Sequence, residues 1–157
     1  MTKLDLRVPP DSHIVTIVRE IDAPPKLVYD TLLDPALVPH YWGPAYLETV
    51  VDTYEPRPGG SWRFVQKDPD GNQYGFHGVI HDLVDSERIV QTFEFEGVPG
   101  HVSLSVLRLE AVDGRTRITD VSVFESVEDR DGMVSSGMES GAEELYDRLE
   151  ALVLARR

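Results

Sequence analysis

The chain contains no cysteine, has few basic residues and lacks any long apolar run, and each absence excludes a class of protein. Without cysteine there is no disulfide framework, no thiol catalysis and no cysteine-bound zinc. The 157 residues include 15 Lys and Arg against 28 Asp and Glu, a net charge of −13. Such a surface repels phosphate backbones and anionic lipid, so we expect binding to neither nucleic acid nor membranes. The sequence opens without an apolar signal segment, and no run approaches the ~18 apolar residues of a membrane helix, which favours a cytoplasmic protein.

The first part of the chain predicts a strand followed by two short helices. Residues 1–12 are polar and are expected to form an arm that leads into the fold. The β-branched stretch 13–21 predicts the strand. Segment 22–34 has two prolines near its start and apolar residues at helical spacing, which indicates a helix. Asp34 and the proline after it begin a second short helix, which ends before Gly43.

The middle of the chain has the composition of strands separated by short turn clusters. An Asp113-Gly114 pair between two alternating runs is a strong hairpin signal. Parallel neighbours would need crossovers of about a dozen residues, so the short links predict an antiparallel meander. The six strands predicted here cover residues 46–54, 61–66, 73–84, 88–96, 101–112 and 115–124.

The last part of the chain predicts a long amphipathic helix. Ser126 and Asp129 are spaced to cap a short turn, and Ser136 with Glu139 fits a capping box before the helix. Its apolar stripe is formed by Met138, Ala142, Leu145, Leu149 and Leu152. We therefore predict one α+β domain over 13–157, in which a curved antiparallel sheet of six to seven strands wraps around this helix and leaves a cavity. The acidic face of the helix is either solvated or a docking surface for a basic partner.

Several segments resemble a known family of this architecture. The matching pieces, in order, are APPKLVYDTLLDPALVPHYWGP (23–44), PGGSWRFV (58–65), DPDGNQYGFHGVI (68–80), DSERIVQTFEF (85–95), DGRTRIT (113–119) and SGMESGAEELYDRLEALV (136–153). They are similar to START-like proteins of the SRPBCC class, in particular to bacterial homologues of the activator of heat-shock protein 90 ATPase. The resemblance spans roughly 13–155 and implies the helix-grip (START-like, Bet v-like) fold. The family includes ligand carriers, cyclases, hydrolases and co-chaperones, so the fold does not choose among these functions.

Aromatic residues are concentrated in one stretch and suggest a binding pocket. Ten of the thirteen lie between positions 41 and 95, and alternation places pairs of them on common strand faces. They form either the wall of a pocket for a small apolar ligand, with Trp42 near its entrance, or a solid aromatic core. The predicted ligand-binding rings are Tyr41, Trp42, Trp62, Phe64, Tyr74, Phe76, Phe93 and Phe95.

Asp120 is the one candidate catalytic residue. It shares a strand face with Ile118, Ser122 and Phe124. If this face points inward, burial would raise the pKa of Asp120 unless a cation or hydrogen-bond donor pairs with it. Asp120 could then orient a ligand or act as a general base together with His40 or a tyrosine hydroxyl, and Ser122 is a further predicted ligand-binding residue. If the opposite face points inward, Asp120 is an ordinary solvated carboxylate.

Other side chains are weaker candidates for ligand contact. His40 lies next to the predicted entrance and is either a ligand contact or a surface side chain. Met133 and Met138 could line the pocket or pack in the core. His77 and His81 would be about 13 Å apart on one strand, too far to share a metal, so we predict no metal site. No nucleotide- or cofactor-binding motif is present in the sequence, so we expect no cofactor.

Three functions follow from these observations. We expect non-catalytic binding of a small hydrophobic molecule between the sheet and the C-terminal helix. The alternatives are a polyketide cyclase- or hydrolase-like enzyme that uses Asp120 in the same cavity, and a chaperone-associated module of the stress response, which the resemblance implies. The expected state is a monomer or a homodimer, since exposed sheet edges would permit pairing.

Overall fold

The computed structural model describes residues 3–157, which form eight strands and four helices. The strands are β1 (Asp5–Arg7), β2 (Ile14–Ile21), β3 (Glu48–Tyr54), β4 (Ser61–Lys67), β5 (Gln73–Val84), β6 (Arg88–Phe95), β7 (Val102–Val112) and β8 (Arg115–Val123). The helices are α1 (Pro25–Leu32), α2 (Val38–Tyr41), α3 (Val127–Ser135) and α4 (Met138–Ala155). The predicted order of strand, two short helices, six strands and long helix is confirmed.

All strands belong to one curved antiparallel sheet with the order β1-β2-β8-β7-β6-β5-β4-β3. From β3 to β8 the sheet is a meander, as the short turns predict. β2 pairs with β8 along its whole length, from Ile14 opposite Val123 to Ile21 opposite Thr116. The first long strand therefore lies beside the last one, and the sheet forms a continuous concave surface for the helices.

The sheet has one strand more than the six to seven predicted. The additional strand, β1, lies within the predicted N-terminal arm and pairs with β2, with Asp5 opposite Val18. Its three residues include one apolar side chain, too few for an alternating pattern to be recognised. Residues 1 and 2 of the predicted arm lie outside the described part of the chain.

One end of the concave face is tightly filled by α4. Val15 of β2 and Ile118 of β8 are completely buried, as are Leu149 and Val153 of α4. Arg19, also on the inner face of β2, donates hydrogen bonds to Asp147 and Glu150 of α4, both at 2.9 Å. Apolar packing and this buried ion pair together fix the C-terminal half of α4 against the sheet.

The connection from β8 to α4 is a helix rather than the short predicted turn. The Ser126 hydroxyl accepts a hydrogen bond from the Asp129 amide at 3.0 Å, which confirms the predicted cap, but α3 continues to Ser135. The capping box predicted for Ser136 and Glu139 is wrong. Gly137, in the left-handed region with φ of 96°, is the N-cap of α4, and the Ser136 hydroxyl instead donates to the Met133 carbonyl at the end of α3.

Candidate functional site

Residues 3–157 enclose a larger and a smaller cavity under the concave face of the sheet. The larger has a volume of about 790 Å³ and the smaller about 130 Å³. The larger lies between the β4–β7 end of the sheet and α3, and its rim is formed by exposed side chains such as Tyr46 and Val98. The smaller lies between the middle of the sheet and α4, which contributes Leu145 and Tyr146.

The larger cavity is therefore covered by a different helix from the one expected. The sequence predicts a cavity between the sheet and the C-terminal helix, but α4 contributes no side chain to the larger cavity. In the C-terminal half of α4, Leu149 and Val153 are completely buried, so little space remains there. At the other end of the sheet, α3 contributes Gly132 and Met133 to the lining. The space between this helix and the sheet stays open.

Aromatic rings separate the two cavities. The indole of Trp42 meets Phe64 and Phe76 edge to face, with both centroid distances at 5.1 Å. Phe76 in turn stacks on Phe95 at 5.1 Å and lies 5.7 Å from Phe93. One side of this aromatic block is packed core, and the other side is a wall of the larger cavity.

Trp62 occupies the centre of this block because a glycine makes room for it. Its indole N–H donates to the Thr92 carbonyl at 3.1 Å. A Cβ on Gly78 would lie 1.9 Å from that carbonyl oxygen and 2.5 Å from the indole nitrogen. Only glycine fits at position 78, and its missing side chain leaves room for the Trp62 indole in the core.

The structure divides the predicted ligand-binding residues into three groups. Those in the wall of the larger cavity are Tyr74, Phe76, Phe93, Phe95 and Met133. Those in the wall of the smaller cavity are Tyr41, Trp42, Phe64 and Asp120. Those that line neither cavity are His40, Trp62, Ser122 and Met138.

The predicted entrance residues lie away from the mouth of the larger cavity. His40 is exposed near the end of α2. Tyr41 is buried, and its hydroxyl donates to the Leu32 carbonyl at 2.8 Å. Trp42 faces the smaller cavity. The entrance of the larger cavity is formed instead by the segment before β3, the β6–β7 loop and α3.

A histidine–carboxylate pair spans this entrance. His101, just before β7, lies with Nδ1 2.9 Å from Oδ2 of Asp129 on α3, and both residues line the larger cavity. The Asp129 carboxylate raises the pKa of His101, since it stabilises the imidazolium. The sequence alone does not reveal this pair, because its members are 28 positions apart and neither lies in a recognisable motif.

Asp120 points inward, which corresponds to the first of the two alternatives considered for its strand face. The Ser105 hydroxyl donates to its carboxylate at 2.7 Å, and burial raises the pKa of Asp120. Tyr146 of α4 lines the same cavity. At about 130 Å³ this cavity has room for a few waters or a very small molecule. Asp120 therefore has the environment of a perturbed carboxylate but does not face the larger cavity.

Two further classes of site are not supported in residues 3–157. That part of the chain contains no group of three or more His, Cys, Asp or Glu side chains arranged to hold a metal ion. Within the same range, no helix has both the length and the apolar character needed to cross a bilayer.

Comparisons with known proteins agree with this architecture. The family model described as "Activator of Hsp90 ATPase homolog 1-like protein" matches residues 22–154. A comparison with curated proteins gave no match. The solution structure of a protein from Arthrobacter aurescens is 27% identical over 98% of this chain and 92% of its own, with a TM-score of 0.86. Crystal structures of proteins from Mycobacterium smegmatis (25% identity, 97% and 96% covered, TM-score 0.86) and Rhodobacter sphaeroides (24%, 98% and 99%, 0.89) are also similar.

Proposed function

The chain belongs to the family of Activator of Hsp90 ATPase homolog 1-like proteins, and we propose that it binds a small hydrophobic molecule in the larger cavity. The observation that carries this proposal is the cavity of about 790 Å³ walled by Phe76, Phe93 and Phe95. Cavities of roughly 300–1,000 Å³ with apolar walls and a few polar groups are typical of small-molecule sites. The histidine–carboxylate pair lies at the exposed rim, where it can orient a ligand without taking part in chemistry.

A substitution that fills the cavity tests this proposal. Gly132 of α3 lines the cavity, and a Cβ added there would meet no other atom within 4 Å. Gly141 of α4 also has open space around it but does not line the cavity. Gly132→Trp and Gly141→Trp therefore place the same indole inside and outside the proposed site.

The probe is N-phenyl-1-naphthylamine, a neutral dye whose fluorescence rises in apolar surroundings. We expect saturable binding by the wild-type protein and by Gly141→Trp, and at least tenfold weaker binding by Gly132→Trp. Circular dichroism and thermal unfolding verify that both variants are folded. Absence of saturable binding, or an equal loss in both variants, would contradict the proposal.

The orientation of Asp120 supports a second candidate, a cyclase- or hydrolase-like enzyme. Its buried carboxylate, held by Ser105, has the raised pKa that suits a general base. We favour binding because the cavity beside Asp120 is far smaller than a polycyclic substrate. The test is turnover of a poly-oxo aromatic model substrate by wild type and Asp120→Asn, and an Asn-sensitive turnover would favour the enzyme.

A chaperone-linked role rests on the family description alone. We propose as a further candidate that the chain acts with a chaperone in the stress response, in the cytoplasm. It predicts that the purified protein stimulates the ATPase of a bacterial heat-shock protein 90. Equal ATPase rates with and without a tenfold excess of the protein would contradict it.

A further inference from the structure

We infer that the larger cavity prefers a hydrophobic cation, such as an aromatic amine, over a neutral or anionic molecule of the same shape. This inference rests on the proposed function, because it concerns the ligand of the same cavity. It follows from the charges around the cavity, the aromatic faces at its rim and one buried hydroxyl in its wall.

Carboxylates border the cavity from two sides. Asp68, after β4, lies on the sheet side, while Glu128 and Asp129 lie in the first turn of α3. Among residues 3–157, no lysine or arginine lines the cavity. His101 is the one basic side chain there, and its contact with Asp129 balances one of the three carboxylates. Two negative charges remain near the entrance.

Asp68 is held in its ionised form beside aromatic rings. It accepts hydrogen bonds from the Asn72 side chain at 2.9 Å and from the Tyr74 hydroxyl at 3.2 Å, and these lower its pKa. Tyr74 lines the same side of the cavity, as does Tyr46, whose side chain is 71% exposed. A cation over the face of such a ring is attracted by its electron-rich surface. A charged oxygen and two aromatic faces thus share one side of the entrance.

A polar group also lies in the wall of the cavity. Ser103 of β7 is 7% exposed and lines the cavity. Because Ser103 lines the cavity, its hydroxyl is accessible to a ligand or to water. It can accept a hydrogen bond from an ammonium or amine group.

The charge of the whole protein acts in the same direction. With a net charge of −13, the protein concentrates small cations near its surface and repels anions. This long-range effect is screened at physiological ionic strength, so the local carboxylates must provide the preference that remains there.

The experiment compares three naphthalenes of nearly equal shape by isothermal titration calorimetry at pH 7. They are 2-naphthylmethylamine, 2-naphthylmethanol and 2-naphthoate, which are cationic, neutral and anionic. We expect the amine to bind about five- to tenfold more tightly than the alcohol, and the carboxylate more weakly than the alcohol. The advantage of the amine should decrease between 20 and 150 mM NaCl.

Two charge-removing variants locate the effect. Glu128→Gln removes a carboxylate at the cavity, whereas Glu143→Gln removes an exposed one on α4 that does not line it. We expect Glu128→Gln to reduce the amine-to-alcohol ratio about two- to threefold and Glu143→Gln to leave it unchanged. Ser103→Ala should weaken binding of the amine more than binding of a neutral naphthalene without a hydroxyl, 2-methylnaphthalene.

The outcomes separate this inference from the proposed function. If all three naphthalenes bind equally well, or the carboxylate binds best, the charge preference is wrong while hydrophobic binding stands. If none binds and the neutral dye also fails, the proposed function itself is wrong. Equal reductions in the ratio by Glu128→Gln and Glu143→Gln would assign the preference to net charge and overturn the local argument.

Discussion

The two ends of the concave sheet face belong to one sheet but are filled to different degrees. Under α4, the side chains of Val15, Ile118 and Leu149 are completely buried, and Arg19 is paired there with Glu150. Under α3, the same sheet leaves a cavity of about 790 Å³. Packing at the filled end holds the strands in place. The aromatic wall at the open end can therefore keep its position although its cavity side has no atoms packed against it.

The difference indicates where stability and binding should reside. Core truncations are costly because the surrounding atoms cannot close the space that they leave. A side chain that already faces an open cavity has fewer contacts to lose. We therefore expect substitutions at the filled end to change the free energy of unfolding, and substitutions at the open end to change mainly ligand affinity.

The largest effect is expected from Leu149→Ala. Leu149 is completely buried, and its truncation should lower the free energy of unfolding by about 3 kcal/mol. Met133→Ala, in the wall of the larger cavity, serves as the comparison and should cost less than about 1 kcal/mol. Urea unfolding followed by circular dichroism measures both values. Equal costs would remove the distinction between the two ends.

The second effect concerns the ion pair at the filled end. Glu150→Gln removes the charge that faces the Arg19 guanidinium, whose side chain is fully buried. Asp147 still accepts a hydrogen bond from this arginine, so we expect a loss of about 2 kcal/mol in the free energy of unfolding. Glu143→Gln, on the exposed face of the same helix, controls for the change in net charge. A loss below 0.5 kcal/mol would show that the pair contributes little.

The third effect is a pH dependence from Asp120, which lies between the two ends. Burial raises the pKa of Asp120, so the folded protein keeps this proton to a higher pH than the unfolded chain. Its contribution to stability is present below the unfolded pKa and is lost as the pH rises through the folded pKa. Asp120→Asn should therefore raise the free energy of unfolding at pH 7 by roughly 0.5–1 kcal/mol and leave the free energy of unfolding at pH 3 unchanged.

Comparison of unfolding curves at the two pH values tests this prediction. Asparagine keeps an oxygen that can accept the hydrogen bond from Ser105, so the substitution changes charge more than shape. A destabilised Asp120→Asn at pH 7 would show that the ionised carboxylate is favourable where it lies.

The smallest effect is at the open end, on the titration of His101. Asp129 raises the pKa of His101 above its ordinary value of 6.5, so Asp129→Asn should bring it back toward that value. Because the folded pKa is raised, the stabilisation from this pair is present below pH 6.5 and is lost as the pH rises through the folded pKa. NMR titration of the His101 ring protons gives the pKa directly. An unchanged pKa in Asp129→Asn would indicate that the pair does not form in solution.

The fold was largely predictable because its signals are local and repeated. Alternating strands, Gly-containing turns and the stripe that includes Leu145 and Leu149 each occupy one segment, and together they predicted the antiparallel sheet and the long helix. α3 was harder to recognise, because its sequence VEDRDGMVS has no continuous apolar stripe. β1 was missed because three residues are too few to show the alternation of apolar and polar side chains that marks a strand.

The site was less predictable because cavities depend on distances between segments. Alternation correctly put Phe93 and Phe95 on one face, but the sequence does not say which part of that face is covered by α3 and which by α4. The pairing of His101 with Asp129 joins a loop and a helix that only the folded chain brings together. Trp42 was expected at an entrance, yet the rings of Phe64 and Phe76 enclose it.

The two boundary strands of the sheet have a consequence for self-association. β1 is only three residues long, and β3 at the opposite boundary has a register shift between Val51 and Thr53, next to the exposed Asp52. Short, irregular and charged margins offer a poor template for a further strand from another molecule. Growth into ribbons or fibrils by strand addition at these margins is thereby disfavoured.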